Sequence, residues 1–312
     1  MEKVKYSIVV PVFNEEEVIG ESHRRLKDVM DSTGESYELI FVNDGSRDKT
    51  LEILADINGR DRNSKVLSFS RNFGHQTAIT AGMDASCGEA VVVIDADLQD
   101  PPEVILAMIE AWKNGWQVVY GKRSKRKGES AFKLLTAKIF YRVLDGMTDV
   151  DIPVDTGDFR LIDRVVCDTL KALPEHNRYV RGLVSWVGFR QTAVEYVREE
   201  RFAGETKYPL KKMLKLAGDG LAAFSYKPLT VSTWLGVMTA TFAGLYLLLT
   251  LILNLCSVWG WSAVHYLGGC IILVGGIILI MLGIVGNYLG RVLDEARGRP
   301  KYIIGERIGF DD

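Results

Sequence analysis

Before residue 209, short apolar runs of strand length alternate with amphipathic stretches of helical period. Residues 7–13 and 38–42 read as strands, with a helical pattern over 16–32 between them. Runs at 66–69, 90–94 and 118–120 continue the series, and 77–86 and 102–114 supply further helices. Strands alternating with helices predict an α/β fold built on a mostly parallel sheet with helices on both faces. Farther along, the pattern changes. Runs 229–255 and 264–289 contain no Asp, Glu, Lys or Arg, and each exceeds the roughly 20 apolar residues that cross a bilayer. They predict two transmembrane helices forming a hairpin over 228–290, with a tail over 291–312. Stretches 130–144 and 209–227 mix lysines and arginines with large apolar side chains, and predict amphipathic helices lying on a membrane interface.

Composition adds little until the chain is divided this way. At 47% hydrophobic residues and a net charge of −2, the whole lies in the ordinary globular range, with the apolar weight gathered at one end. No nucleic-acid partner is expected. The four cysteines, Cys87, Cys167, Cys256 and Cys270, show no CxxC pair, so neither a zinc site nor a disulfide framework is expected, as suits a reducing cytoplasm. The apolar run after Met1 is too short for a signal-peptide core. Basic residues flank both spans, with Lys207, Lys211, Lys212, Lys215 and Lys227 before the first and Arg291, Arg297, Arg299 and Lys301 after the second. The connection at 257–262 has none. Cytoplasmic flanks are enriched in Lys and Arg, so both termini and the α/β domain are expected in the cytoplasm, on an integral inner-membrane protein.

Polar residues of chemical interest fall at the predicted strand ends, where open α/β sheets bind ligands. Pro11, Asn14 and Glu15 close the first strand, and Asn43, Asp44, Gly45 and Ser46 close the second. Either cluster alone could be only a cap or turn. Neither Gly-x-Gly-x-x-Gly nor Gly-x-x-x-x-Gly-Lys-Ser/Thr occurs, which weighs against a dinucleotide enzyme or a P-loop ATPase. The most diagnostic element is the apolar run 91–94 delivering Asp95 and Asp97, followed by Gln99, Asp100, Pro101 and Pro102. Two carboxylates on such a ledge suit Mg²⁺ or Mn²⁺, which retains waters and takes further ligands from substrate phosphates, and so neutralises a diphosphate leaving group.

These segments resemble the successive motifs of inverting glycosyltransferase family 2 with the GT-A fold, a Rossmann-like sheet. The resemblance rests on 10–15, 42–46, Asn72-Phe73-Gly74, 95–99, Gly121-Lys122-Arg123, 155–160 and 201–208. With two terminal spans it is most similar to the polyprenyl-phosphate glycosyltransferases, the bactoprenol glucosyltransferase group, and more distantly to dolichol-phosphate mannose synthase. The resemblance implies nucleotide-sugar binding by Pro11, Asn14, Glu15, Asp44, Asn72, Asp95, Asp97 and Gln99, and metal ligation by Asp97 with Asp95. It implies Asp158 beneath the reacting centre, as base or as acceptor-orienting group, with Asp155 as fallback; an N-cap for a helix beginning near Arg164 is the plainer alternative for Asp158. Arg123, Lys133, Arg201 and Lys207 would bind the lipid phosphate. Family relatives often carry arginine and serine on the interfacial helix, where this chain has Lys133 and Ala137. The implied reaction moves a hexose, glucose from UDP-glucose, onto undecaprenyl phosphate, by a homo-oligomer, a tetramer as in this group by resemblance alone. Mannose, N-acetylglucosamine or aminoarabinose donors are the alternatives, and a non-catalytic scaffold or flippase partner is the rival class.

Overall fold

The computed structural model describes residues 4–125, 156–175, 178–198, 234–239 and 263–310, with isolated positions between 241 and 252. The interfacial helices expected at 130–144 and 209–227, and with them Lys133, Asp155, Arg201 and Lys207, lie outside the described residues. The chain divides into two compact units, one of Met1–Gly146, Val150–Ala217 and Pro300–Asp312, the other of Met147–Asp149 and Gly218–Arg299.

In chain order the first unit comprises β1 (Tyr6–Val12), α1 (Ile19–Asp31), β2 (Tyr37–Asn43), α2 (Thr50–Arg60), β3 (Ser64–Phe69), α3 (His75–Ala85), β4 (Ala90–Val93), α4 (Val104–Lys113), β5 (Val118–Lys125), β6 (Thr156–Asp163), α5 (Arg164–Ala172), α6 (Val180–Trp186), β7 (Gln191–Val197) and, after the second unit, β8 (Ile304–Ile308). The strands form one sheet in the order β7-β5-β6-β4-β1-β2-β3-β8. Strands β4, β1, β2 and β3 are mutually parallel, and so are β5 and β7. Strand β6 runs antiparallel between β4 and β5, and β8 runs antiparallel along β3. The mostly parallel α/β sheet expected from the alternation is therefore present.

Strands β1 and β2 are buried along their whole length, which explains why their sequences are near-continuous apolar runs rather than alternating ones. Ile8, Val10, Leu39 and Phe41 pack with Leu26 and Met30 of α1 in the main core; each such side chain contributes about 1.5–3 kcal/mol by leaving water. On the other face α3 lies close to the sheet at Gly82, where an added Cβ would stand 2.2 Å from Val9 Cγ1.

The site is prepared by a divergence of two strands. Strand β1 pairs with β4 only as far as Val9 and Val93, yet stays paired with β2 through Val12 and Asn43. Pro11, which has no N–H to give, falls where the β4 ladder has already ended. With β2 on one side of β1 and β4 on the other, the strand order reverses here, and a crevice opens at the carboxyl edge.

In the second unit α7 spans Ala263–Arg297. Its Leu273–Arg297 segment, 25 residues, is long and apolar enough to cross a membrane. A shorter apolar helix covers Trp234–Tyr246, so the first expected span, 229–255, is described only in part. The α7 helix runs beyond the apolar stretch into its polar end and stops where Gly298 adopts a φ of 58°, the left-handed conformation that favours glycine after a helix. The segment read as a tail, 291–312, thus holds the end of α7 and strand β8.

Two glycines test the packing. Gly82→Ala should lower stability by about 1–3 kcal/mol through overpacking on β1. Gly59→Ala in α2, where nothing lies within 4 Å of an added Cβ, should raise it by about 0.5 kcal/mol. Thermal denaturation of the purified full chain measures both, and equal effects would refute the close approach of α3.

Candidate active site

Three turns meet at the crevice. After β1, Asn14 takes a φ of 53°; its Oδ1 accepts the Arg47 N–H at 2.9 Å, and its own N–H donates to Ser46 Oγ at 2.9 Å. The Glu15 N–H donates to Thr50 Oγ1 at 3.0 Å. These bonds fasten the loop after β1 to the loop after β2, so Asn14 shapes the crevice wall.

Asp44, at the end of β2, is 3% exposed. Its carboxylate accepts N–H groups from Phe73 at 2.6 Å and Gly74 at 2.9 Å, and the Asn72 side-chain amide at 2.9 Å. Burial pushes the Asp44 carboxyl up, while the Phe73 and Gly74 amides pull against that rise. Asp44 and Asn72 therefore act together, holding the turn that leads into α3. Gly45 belongs to the same contact, since a Cβ there would lie 2.6 Å from the Arg71 carbonyl carbon.

After β4 the chain presents Asp95, Asp97 and Gln99 partly exposed, with Ala96, Leu98 and Asp100 buried. The Gln99 N–H donates to Asp97 Oδ1 at 3.2 Å, a side-chain turn that seats Leu98 in the left-handed region at φ 58°. That strain, on the order of 1 kcal/mol, sets the ledge. Asp95 Oδ1 has no hydrogen-bond partner, and His75 Nε2 stands 3.5 Å away. Burial first, with Asp158, Asp97 and Asp100 adding to it and His75 pulling against it, leaves the Asp95 carboxyl raised to about 6. A buried oxygen without a donor, beside a second carboxylate, fits a hard divalent cation. Among the described residues no group of three or more His, Cys, Asp and Glu gathers at ligand spacing; a cation here would have at most the Asp95 and Asp97 carboxylates from this ledge and would keep waters.

Asp158 reaches this edge because β6 is reversed, so that its first residues lie beside the carboxyl ends of its neighbours. The carboxylate is 6% exposed. Arg181 grips it through Nε at 2.8 Å and Nη2 at 3.1 Å, and His75 Nε2 at 3.2 Å and Gln76 Nε2 at 3.1 Å complete the shell. Burial alone would raise this carboxyl, but the Arg181 guanidinium and His75 outweigh it and hold the group well below the usual carboxylate range. His75 is lowered by burial and raised more strongly by Asp95 and Asp158, to about 9. Gln76 also accepts the Val180 N–H at 3.1 Å, which ties the start of α6, and hence Arg181, to α3. The cap of α5 is Asp163, whose side chain accepts the Val165 N–H at 2.9 Å.

Arg123 lies beside Asp100, at 3.5 Å, and donates from Nε to Tyr196 Oη at 3.3 Å. Tyr196 donates to Asp100 Oδ1 at 2.5 Å. The guanidinium also packs over Gly157, where a Cβ would meet Nη2 at 2.7 Å. Arg198 Nε is 3.7 Å from the same Asp100.

Of the residues expected at the site, Pro11, Asn14, Glu15, Asp44, Asn72, Asp95, Asp97, Gln99, Arg123 and Asp158 all fall on this edge. The sequence reading missed His75, Gln76, Arg181 and Tyr196. His75 directly follows the Asn72-Phe73-Gly74 motif, which is a usable signal. Arg181 lies on a short helix with no motif of its own, and only the antiparallel register of β6 brings its partner within reach.

The chain belongs to glycosyl transferase family 2, whose family model matches residues 7–171. It is similar to the glycosyltransferase YkcC of Bacillus subtilis, 58% identical over 99% of this chain and 96% of that one. The glycosyltransferase sll0501 of Synechocystis is 43% identical over 99% and 97%. The prophage bactoprenol glucosyl transferase homolog of Escherichia coli is 40% identical over 96% and 98%.

Arg181→Met should destabilise the fold by about 3 kcal/mol at neutral pH, because it leaves a buried carboxylate without its bidentate guanidinium and with only His75 as a cation. Asp158 is lowered on folding, so its contribution is present above its unfolded value near 4 and disappears as the pH falls through the lower folded value. The advantage of wild type over Asp158→Asn in thermal denaturation should therefore hold at pH 7 and shrink in strong acid; an advantage that grows in acid would reverse the assignment.

Proposed function

We propose that this enzyme transfers a hexose, best read as glucose from UDP-glucose, with inversion onto the phosphate of undecaprenyl phosphate at the cytoplasmic membrane face. The observation that carries the reading is the convergence of an unbonded Asp95 oxygen, its neighbour Asp97 and the ion-paired Asp158 on one sheet edge. The bactoprenol relative, at 40% identity over nearly its full length, supports the polyprenyl acceptor. The donor sugar rests on the same likeness.

Asp97 and Asp95 would hold Mg²⁺ or Mn²⁺, which when bound neutralises charge on a diphosphate leaving group. The chain's own residues do the rest. The loops locked by Asn14 and Asp44 border the nucleotide. His75, largely protonated at neutral pH, adds positive charge beside Asp95. Asp158 is ionised and both its oxygens are occupied, so its role is to orient the site and to stabilise positive charge developing on the sugar. An acceptor phosphate is already anionic and does not require a strong base. Arg123 would steer that phosphate, with Lys133, Arg201 and Lys207 as further cations.

Strand β8 also bears on membrane topology. The chain leaves the sheet after β7 and returns to it at β8, so the intervening segment crosses any bilayer an even number of times. If α7 crosses once, a second crossing lies between Val197 and Ala263, where 229–255 is long enough. Ile271, Leu279 and Leu289 on α7 are exposed, as lipid-facing residues would be. We therefore read two spans with both flanks cytoplasmic, assembled as a homo-oligomer, a tetramer by resemblance alone.

Membranes containing the protein, incubated with labelled UDP-glucose and Mn²⁺, should yield label in the lipid fraction. Chelation should abolish transfer and added Mn²⁺ restore it, while Asp97→Asn and Asp158→Asn should each reduce it by at least about 100-fold. No lipid labelling from any nucleotide sugar in a panel would end the proposal. With the four native cysteines replaced by serine, a cysteine introduced at Ser257 should react with an impermeant maleimide only from the face opposite the catalytic domain, and labelling from the catalytic side would refute the two-span topology.

A further inference from the structure

The chain beyond α7 does more than close the edge of the sheet. Its first contacts reach the loop that carries the donor-side residues. The Ser70 N–H donates to Ile303 O at 3.0 Å, and a Cβ at Gly305 would lie 3.4 Å from Ser70 Cα. Tyr302 stacks on Phe69 with ring centroids 5.3 Å apart and planes 19° from parallel. Phe69 in turn meets Phe73 edge to face at 5.6 Å. Arg71 also packs on Phe73, its guanidinium 4.2 Å from the ring centroid. Phe73 is the residue whose N–H is bound by Asp44, and two positions later His75 faces Asp95 and Asp158. The same segment grips the far end of α3, where Tyr302 Oη donates to Asp84 Oδ2 at 3.4 Å, and nearby Lys301 Nζ donates to Leu173 O at 3.3 Å.

We propose that residues 300–310 are a positioning element of the donor site, with Tyr302 acting through Phe69 and Phe73 to set the 72–75 turn. This rests on the reading above that the turn borders the nucleotide. Loops of this kind sit at the low-stability end of a fold, and an aromatic pair is a modest restraint, strong enough to shift binding by several-fold without deciding whether the sheet forms. A strand that merely shielded the β3 edge from pairing with other chains would need β8 but would have no use for a ring stacked on Phe69. The hydroxyl is dispensable on this account, because it is the ring face stacked on Phe69, and through Phe69 on Phe73, that carries the restraint.

The test uses the full-length enzyme, wild type beside Tyr302→Leu and Tyr302→Phe. UDP affinity is measured calorimetrically with Mn²⁺, donor KM and kcat by transfer, and exchange of the Phe73 and Gly74 amides by deuterium uptake. Tyr302→Leu should weaken UDP binding and raise donor KM roughly three- to tenfold, keep kcat at saturating donor within about twofold, and speed exchange at Phe73 and Gly74. Tyr302→Phe should match wild type in all of these. Wild-type UDP affinity and exchange in Tyr302→Leu would overturn the proposal, as would a lowered melting temperature as its sole effect. Should wild type itself fail to bind UDP, the donor reading falls, and unchanged amide exchange in Tyr302→Leu would then separately refute the coupling.

Discussion

A carboxylate withdrawn from water must be neutralised or paired, and the pairing of Asp158 organises the crevice. Arg181 occupies both of its oxygens, and His75 and Gln76 add bonds to one of them. These partners come from α3 and α6, so a single charge fixes where two helices meet the edge of the sheet. The neighbouring carboxylates are treated differently. Asp100 is bonded by Tyr196 and flanked by Arg123 and Arg198, whereas Asp95 is left with an unbonded oxygen. Acidic groups crowded in one crevice thus divide into those bonded on their oxygens and one, Asp95, whose Oδ1 makes no hydrogen bond and only faces His75 at 3.5 Å. That division, rather than the count of carboxylates, distinguishes a catalytic edge from a decorated turn.

The parallel half of the fold is plain in the sequence because β1, β2 and β4 are buried on both faces and must be apolar throughout. The other half is not. Strand β6 carries Asp158 and Arg160 on a buried stretch, so its sequence reads as polar; α3 and α6 supply the partners of Asp158, and Arg160 donates to Gly157 O of the strand itself. Strand β7 is half exposed and β8 is five residues long; neither has enough alternation to stand out. The same reason governs the site. Asp95, Asp97, Asp44 and Asn14 sit next to apolar strands that announce them, while Arg181 and Tyr196 act through partners that are distant in sequence.

The reversed strands β6 and β8 also explain how one sheet serves two demands. A purely parallel sheet would bring only strand ends to its carboxyl edge. Reversing β6 delivers the start of a strand there, which is how Asp158 comes to lie near a ledge built by β4. Reversing β8 returns the chain from α7 to β3 and sets Tyr302 against the aromatic pair below the 72–75 turn. The segment that follows the apolar helix therefore ends in the hydrogen-bond ladder of the sheet, where Tyr302 stacks on Phe69 and Phe69 meets Phe73, whose N–H is bound by Asp44.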